Sequence, residues 1–263
     1  MPRQTCYSDH TSACYRLEAA LDPTPFYVLA GGLTGGFITG LAGFGTGLAA
    51  MPIWLLGVSP IVAAQLAAAC GAVGQAQNLP AVWPDVRADC VGHFVIAGLI
   101  GVPIGVVLLP LIPDRAFKLG VGAFLLVFCV FSVAARGRTI FTGHNKPLDR
   151  GIGFLGGIAA GVAGLSGPIP TAWAMLHDWS RDEKRALFQC FNFVTLVAML
   201  IAGTIAGHMS WAFVWAFLIA VPGTLVGAWL GYATYRRLSG KSFENILLAA
   251  LAVSGCALVV ANL

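Results

Sequence analysis

Polar and apolar positions fall in long blocks along this chain. The apolar blocks run approximately over 26–58, 61–82, 91–112, 115–135, 151–177, 185–207, 211–235 and 243–262, with short polar or charged stretches between them. Uninterrupted apolar runs of about 20 residues predict helices that cross a bilayer. Six blocks suit a single crossing. Two do not: as one helix, 26–58 would extend for about 50 Å and 151–177 for about 40 Å, against a hydrocarbon core of about 30 Å. The second long block also carries Gly167-Pro168 and Pro170-Thr171 in its latter half.

Both long blocks contain the same glycine pattern. Gly35, Gly36, Gly40, Ala42 and Gly43 recur at one constant offset as Gly156, Gly157, Gly161, Ala163 and Gly164. Each long block is therefore expected to be two short helices folded back on one another, entering and leaving on one side. Loop charge supports the fold-back. If every block crossed once, Lys and Arg would divide evenly between the two sides. With two fold-backs, one side collects Arg87, Arg136, Arg138, Lys146, Arg150, Arg181, Lys184, Arg185, Arg236, Arg237 and Lys241. The other keeps Arg3, Arg16, Arg115 and Lys118. Cytoplasmic loops are the Lys/Arg-rich ones.

The predicted fold is an all-α polytopic membrane protein made of two inverted repeats. Each repeat has one broken, re-entrant helical hairpin and three transmembrane helices. Three crossings is an odd number, so the second half enters from the opposite side. The expected divisions are a polar N-terminal segment (1–25), repeat 1 (26–135), a basic cytoplasmic linker (136–150) and repeat 2 (151–263). Both termini are placed outside, in a cell (inner or plasma) membrane. Gly101 and Gly105 match Gly223 and Gly227 and are read as close helix packing.

Composition agrees with the bilayer. The chain is 58% hydrophobic and 10% charged, where soluble domains carry about 25% charge. The net charge of +4 comes from cations in short loops, which excludes a nucleic-acid surface. The seven cysteines show no metal-ligand spacing, so neither a metal nor another cofactor is expected. Cys70, Cys129, Cys190 and Cys256 are read as small hydrophobes, and Cys6 and Cys14 as a pair only if the head faces an oxidising compartment. Residues 1–25 lack a charged-then-apolar-then-cleavage pattern, so no cleaved signal peptide is expected. Most of the tryptophans are assigned to an interfacial belt. Trp173 is the exception, because it falls inside the second hairpin.

The chemistry is expected at the breaks. A helix interrupted in hydrocarbon frees backbone N–H and C=O groups, which must face protein or a wet cavity. Gly43, Gly45, Gly47, Gly164 and Gly167 are assigned to opening the backbone. Thr46 and Ser166 are assigned to capping the helices that follow or donating to substrate, with Pro168 at an early helical position. A helix start offers unpaired N–H donors and a partial positive charge, which suits an anion. Gln65, Gln189 and Asn192 are the neutral donors expected to complete the pocket, and each is equally readable as a helix-to-helix hydrogen bond. Gln75, Gln77 and Asn78 are read as structural.

These residues resemble the sulfite exporter TauE/SafE family of membrane proteins. The paired segments GGFITGLAGFGTGLAAMP and GGIAAGVAGLSGPIP carry the resemblance, which extends over roughly residues 28–262. It implies transport of sulfite, of organosulfonates such as sulfoacetate, or of small carboxylates, with coupled protons by analogy. It does not fix direction. Ser166-Gly167-Pro168 stands where the first half has Gly45-Thr46-Gly47, so the two half-sites are not equivalent. The other expected partners are the lipid bilayer and a second copy of the chain.

Two alternatives stand beside a carrier. One is a passive anion channel. The other is an intramembrane serine protease of the rhomboid kind, because Gly164-Leu165-Ser166-Gly167 matches its GxSG. A protease would need a base near Ser166 and has no use for a second break. The expectation is a non-enzyme with no catalytic residue.

Overall fold

The computed structural model describes residues 24–82, 88–135, 138–143, 145–235, 248, 251–253 and 255–262. The polar head with Cys6 and Cys14, Trp83, the loop cations Arg87, Arg236, Arg237 and Lys241, and Arg136, Gly137 and His144 of the linker lie outside them. The helices are α1 (Thr24–Ala42), α2 (Thr46–Trp54), α3 (Pro60–Val82) and α4 (Ala88–Leu108), the last continued by a 3-10 turn at Leu109–Leu111. There follow α5 (Asp114–Ala134), α6 (Lys146–Ala163), α7 (Pro168–Met175), α8 (Arg181–Ile205) and α9 (Trp211–Tyr235). Among the described residues, five helices are long and apolar enough to cross a membrane: α1, α4 with its 3-10 turn, α5, α8 and α9. This is the all-helical, polytopic architecture that the block pattern predicts.

The surface is that of a protein solvated by lipid. Ile205, Trp211, Val130 and Leu111 are each 70% or more exposed, and exposed apolar area on this scale marks a membrane-facing surface. The tryptophans divide. Trp211, Trp215 and Trp229 are exposed, as a belt requires, whereas Trp54 and Trp179 are buried. Trp54 leaves the belt because its indole is used inside the first hairpin.

Both long blocks break and fold back. Residue 43 closes α1 with Gly43 N–H donating to Thr39 O at 2.8 Å, and Gly164 closes α6 on Ala160 O at 2.7 Å, the same place in the repeat. The return arms come back to where the outgoing arms began. Thr24 Oγ1 donates to Gly57 O at 3.3 Å, and Ile140 N–H donates to Leu176 O at 2.8 Å. The arms are not two short helices, as expected, but one long and one short: 19 residues against 9 in the first hairpin, 18 against 8 in the second. The long arm α1 spans about 28 Å, enough to cross alone. The linker also ends earlier than expected. Asn145 caps α6 by accepting from Leu148 N–H at 3.5 Å, with Pro147 and Asp149 in the first turn, so Lys146–Arg150 are helical.

Glycine spacing fixes how the long arms pack. A methyl group on Gly32, Gly36 or Gly40 of α1 would lie 2.4, 2.2 or 2.1 Å from the carbonyl oxygens of Ala220, Thr224 and Ala228 in α9. On Gly153, Gly157 or Gly161 of α6 it would lie 2.4, 2.1 or 2.2 Å from those of Phe94, Gly98 and Val102 in α4. Backbones at this separation exclude any side chain, which is the use of small residues between membrane helices. Gly101, Gly105, Gly223 and Gly227 complete these contacts from the facing helix, as their reading for packing predicts. Each hairpin thus packs along a helix of the other half. Between them α3 and α8 run antiparallel, with Gly71 against Leu196 and Gln65 against Gly203.

Candidate functional site

The two breaks meet. A Cβ added to Gly47, in the first turn of α2, would lie 3.0 Å from Gly164 O, and one added to Gly167 would lie 3.0 Å from the Phe44 ring. Around this contact is a cavity of about 10 Å³, measured as room for the centre of a water-sized sphere. That is space for about one water. It is lined by Gly45, Thr46, Gly47 and Leu48 from the first break, Gly164 to Pro168 from the second, and Ala67, Gln75, Asn192 and Leu196 from α3 and α8. None of these side chains is charged.

Backbone conformation divides the candidate glycines. Gly43, Gly45 and Gly164 have φ of 79°, 99° and 65°, the left-handed region that costs other residues about 1–2 kcal/mol. They turn the chain, as expected. Gly47 and Gly167 do not have positive φ. Their role is the close approach of one break to the other, because a side chain there would strike Gly164 or Phe44 and Asn192.

Thr46 and Ser166 are not the caps that the sequence suggested. The N-cap of α2 is Gly45 and that of α7 is Gly167, and neither helix has a side-chain cap. Thr46 instead shares a hydrogen bond with Thr39 of α1. Ser166 Oγ donates to Asn192 Oδ1 at 2.7 Å. The physical reason is position: Thr46 is already helical and Ser166 precedes the cap, so both hydroxyls turn to neighbouring helices. The N–H groups in the first turn of α2 consequently have no carbonyl a turn earlier and no capping side chain. The start of α7 is poorer in donors, because Pro168 and Pro170 have no N–H. There Asn192 supplies what the backbone lacks: its oxygen accepts from Ser166, which leaves its NH₂ as a donor. The second half-site is thus the non-equivalent one.

The amides divide by place. Asn192 lines the cavity. Gln189 lies behind it against the first break, its Nε2 3.3 Å from where a Gly43 Cβ would be. Gln65 faces away, against Gly203 of α8. Gln75 makes the structural hydrogen bond expected of it, Nε2 donating to Gly43 O at 2.9 Å, and it also lines the cavity. Its place between Gly71 and Leu79 on α3 gives no sign of this. The signal in reach was the break itself, since a freed carbonyl at Gly43 requires a donor.

Among the described residues, the side-chain hydrogen-bond partner of Ser166 is the Asn192 amide, not an imidazole. An amide oxygen receives its proton, which is not the base that a serine nucleophile needs.

An all-helical membrane protein whose two broken hairpins meet at an uncharged, donor-rich cavity has the anatomy of a membrane transport protein. The family model for the sulfite exporter TauE/SafE matches residues 27–258. The chain belongs to this family and is a multi-pass membrane protein. No curated protein and no solved structure matches it.

Proposed function

We propose that this chain is a secondary transporter of small anions, sulfite or organosulfonates of the sulfoacetate kind, working by alternating access. The anion is held where the starts of α2 and α7 meet. The observation that carries the reading is the contact of Gly47 with Gly164 O across a cavity that has donors but no charged side chain. Free N–H groups at helix starts attract an anion without the cost of a buried cation.

Two further observations support a carrier. The helices α3 and α8 hold matching places in the two halves and pass each other antiparallel, as an in-plane pseudo-twofold requires of inverted repeats. The cavity has room for about one water, so sulfite enters only if a hairpin shifts. Such a shift is the movement that alternating access needs. The Lys/Arg-rich loops support an orientation with the linker in the cytoplasm and both termini outside.

The test is sulfite flux in proteoliposomes holding the purified protein. A carrier gives uptake that saturates and is stimulated by unlabelled sulfite on the far side. Flux that rises linearly with concentration and shows no counterflow identifies a passive channel. A thermal-shift panel of sulfite, thiosulfate, sulfoacetate, taurine and small carboxylates then names the cargo, because whatever binds the folded state raises its apparent stability.

A further inference from the structure

We propose that Gln75 sets which anions the cavity accepts: it takes a hydrogen bond from the substrate, so anions with an N–H or O–H of their own are favoured over those that only accept. This rests on the anion-site reading above and narrows it.

The amide's orientation is fixed by its neighbour. Gly43 O can only accept, so the group 2.9 Å from it is the NH₂ of Gln75. The other end, Oε1, is then committed to the acceptor role. Gln75 is 2% exposed, lines the cavity, and its Oε1 has no hydrogen-bond partner. Buried amide oxygens are normally satisfied, and one that is not calls for an explanation. Two hydroxyls of the lining are already engaged with other groups: Ser166 donates to Asn192, and Thr46 is paired with Thr39.

A substrate in this cavity meets two kinds of group. The first turn of α2 and the Asn192 amide offer hydrogens to its oxygens. Gln75 offers a lone pair. A fully deprotonated oxyanion turns one of its own lone pairs toward Oε1 and is repelled. Hydrogen sulfite, or a sulfonate with an amino or hydroxyl group on the sulfur or the next atom, meets both demands. Sites with a buried hydrogen-bonding group discriminate strongly against analogues that leave it unpaired. None of the lining side chains titrates, so a selectivity of this kind belongs to the protonation of the anion rather than of the site.

The experiment compares sulfamate with methanesulfonate, two anions of equal charge and nearly equal shape that differ in an NH₂ against a CH₃. Binding to the full-length protein in detergent is followed by calorimetry and thermal shift. The expected result is that sulfamate binds about tenfold tighter, about 1.4 kcal/mol, and that Gln75→Met removes the preference by weakening sulfamate alone. Equal affinities in the unsubstituted protein overturn the inference and leave the anion site standing, with no variant needed to fold. A preference that survives in Gln75→Met overturns it too. If neither anion nor sulfite binds, the anion-site reading itself fails and the selectivity falls with it.

Discussion

Trp173 donates its indole N–H to Oδ1 of Asp149 at 2.8 Å, tying the return arm of the second hairpin to the first turn of its outgoing arm. The first hairpin is closed in the same manner. There Trp54 Nε1 donates to Val28 O at 2.9 Å, and Val28 holds the place in α1 that Asp149 holds in α6. One hairpin uses a neutral carbonyl and the other a buried carboxyl side chain. Each indole serves a buried acceptor that loses this donor when the N–H is removed. Trp173→Phe and Trp54→Phe are therefore each expected to destabilise the protein by about 1–3 kcal/mol. Apparent melting temperatures of the two variants in one detergent decide it, and an unchanged value for either would show that its indole hydrogen bond does not hold the hairpin closed.

The glycine stripe gives a second expectation. Gly157→Ala places a methyl 2.1 Å from Gly98 O, and Gly36→Ala places one 2.2 Å from Thr224 O. Neither carbonyl can move without its helix. Each change should cost about 1–3 kcal/mol by overpacking. Gly120→Ala and Gly151→Ala, with nothing within 4 Å, should be neutral or slightly stabilising through helix propensity. Size-exclusion profiles after graded heating separate the two pairs.

A third expectation concerns the second half-site. Ser166→Ala removes the hydroxyl that orients Asn192 and otherwise deletes only that one oxygen atom. Folding should be little changed, and sulfite affinity should fall several-fold, about 1 kcal/mol for one lost hydrogen bond. Asn192→Leu removes the donor outright and should reduce binding further. Sulfite titrations of both variants test the order; a Ser166→Ala protein with unaltered affinity would detach that hydroxyl from the site.

The sequence made the breaks legible and left their detail hidden, for reasons visible residue by residue. A glycine-rich pattern that occurs twice in an apolar chain marks a special backbone, and the turns are where Gly43 and Gly164 stand. The same glycines serve three purposes, however. Gly36 packs on α9, Gly35 faces Ala50 and Thr46 of its own return arm, and Gly43 has positive φ. Composition cannot divide these, because each use asks only for a missing side chain. Thr46 and Ser166 look like caps in one dimension and bond across helices in three. Gln65 and Gln75 are chemically identical on one helix, and only the rotation of α3 decides that Gln75 meets the break and Gln65 meets Gly203.

That rotation supplies the last expectation. Gln65 and Gln189 are both fully buried, and neither end of either amide has a hydrogen-bond partner. Replacing such a group with an apolar one of similar shape relieves a desolvation cost and is neutral or stabilising. Gln65→Met, beside Gly203, should therefore hold or raise the melting temperature and leave sulfite binding unchanged. Gln189→Met should also keep the fold but weaken binding several-fold, because its amide stands against Gly43 at the first break. If the two variants behave alike in sulfite titrations, Gln189 belongs to the packing of α8 and not to the site.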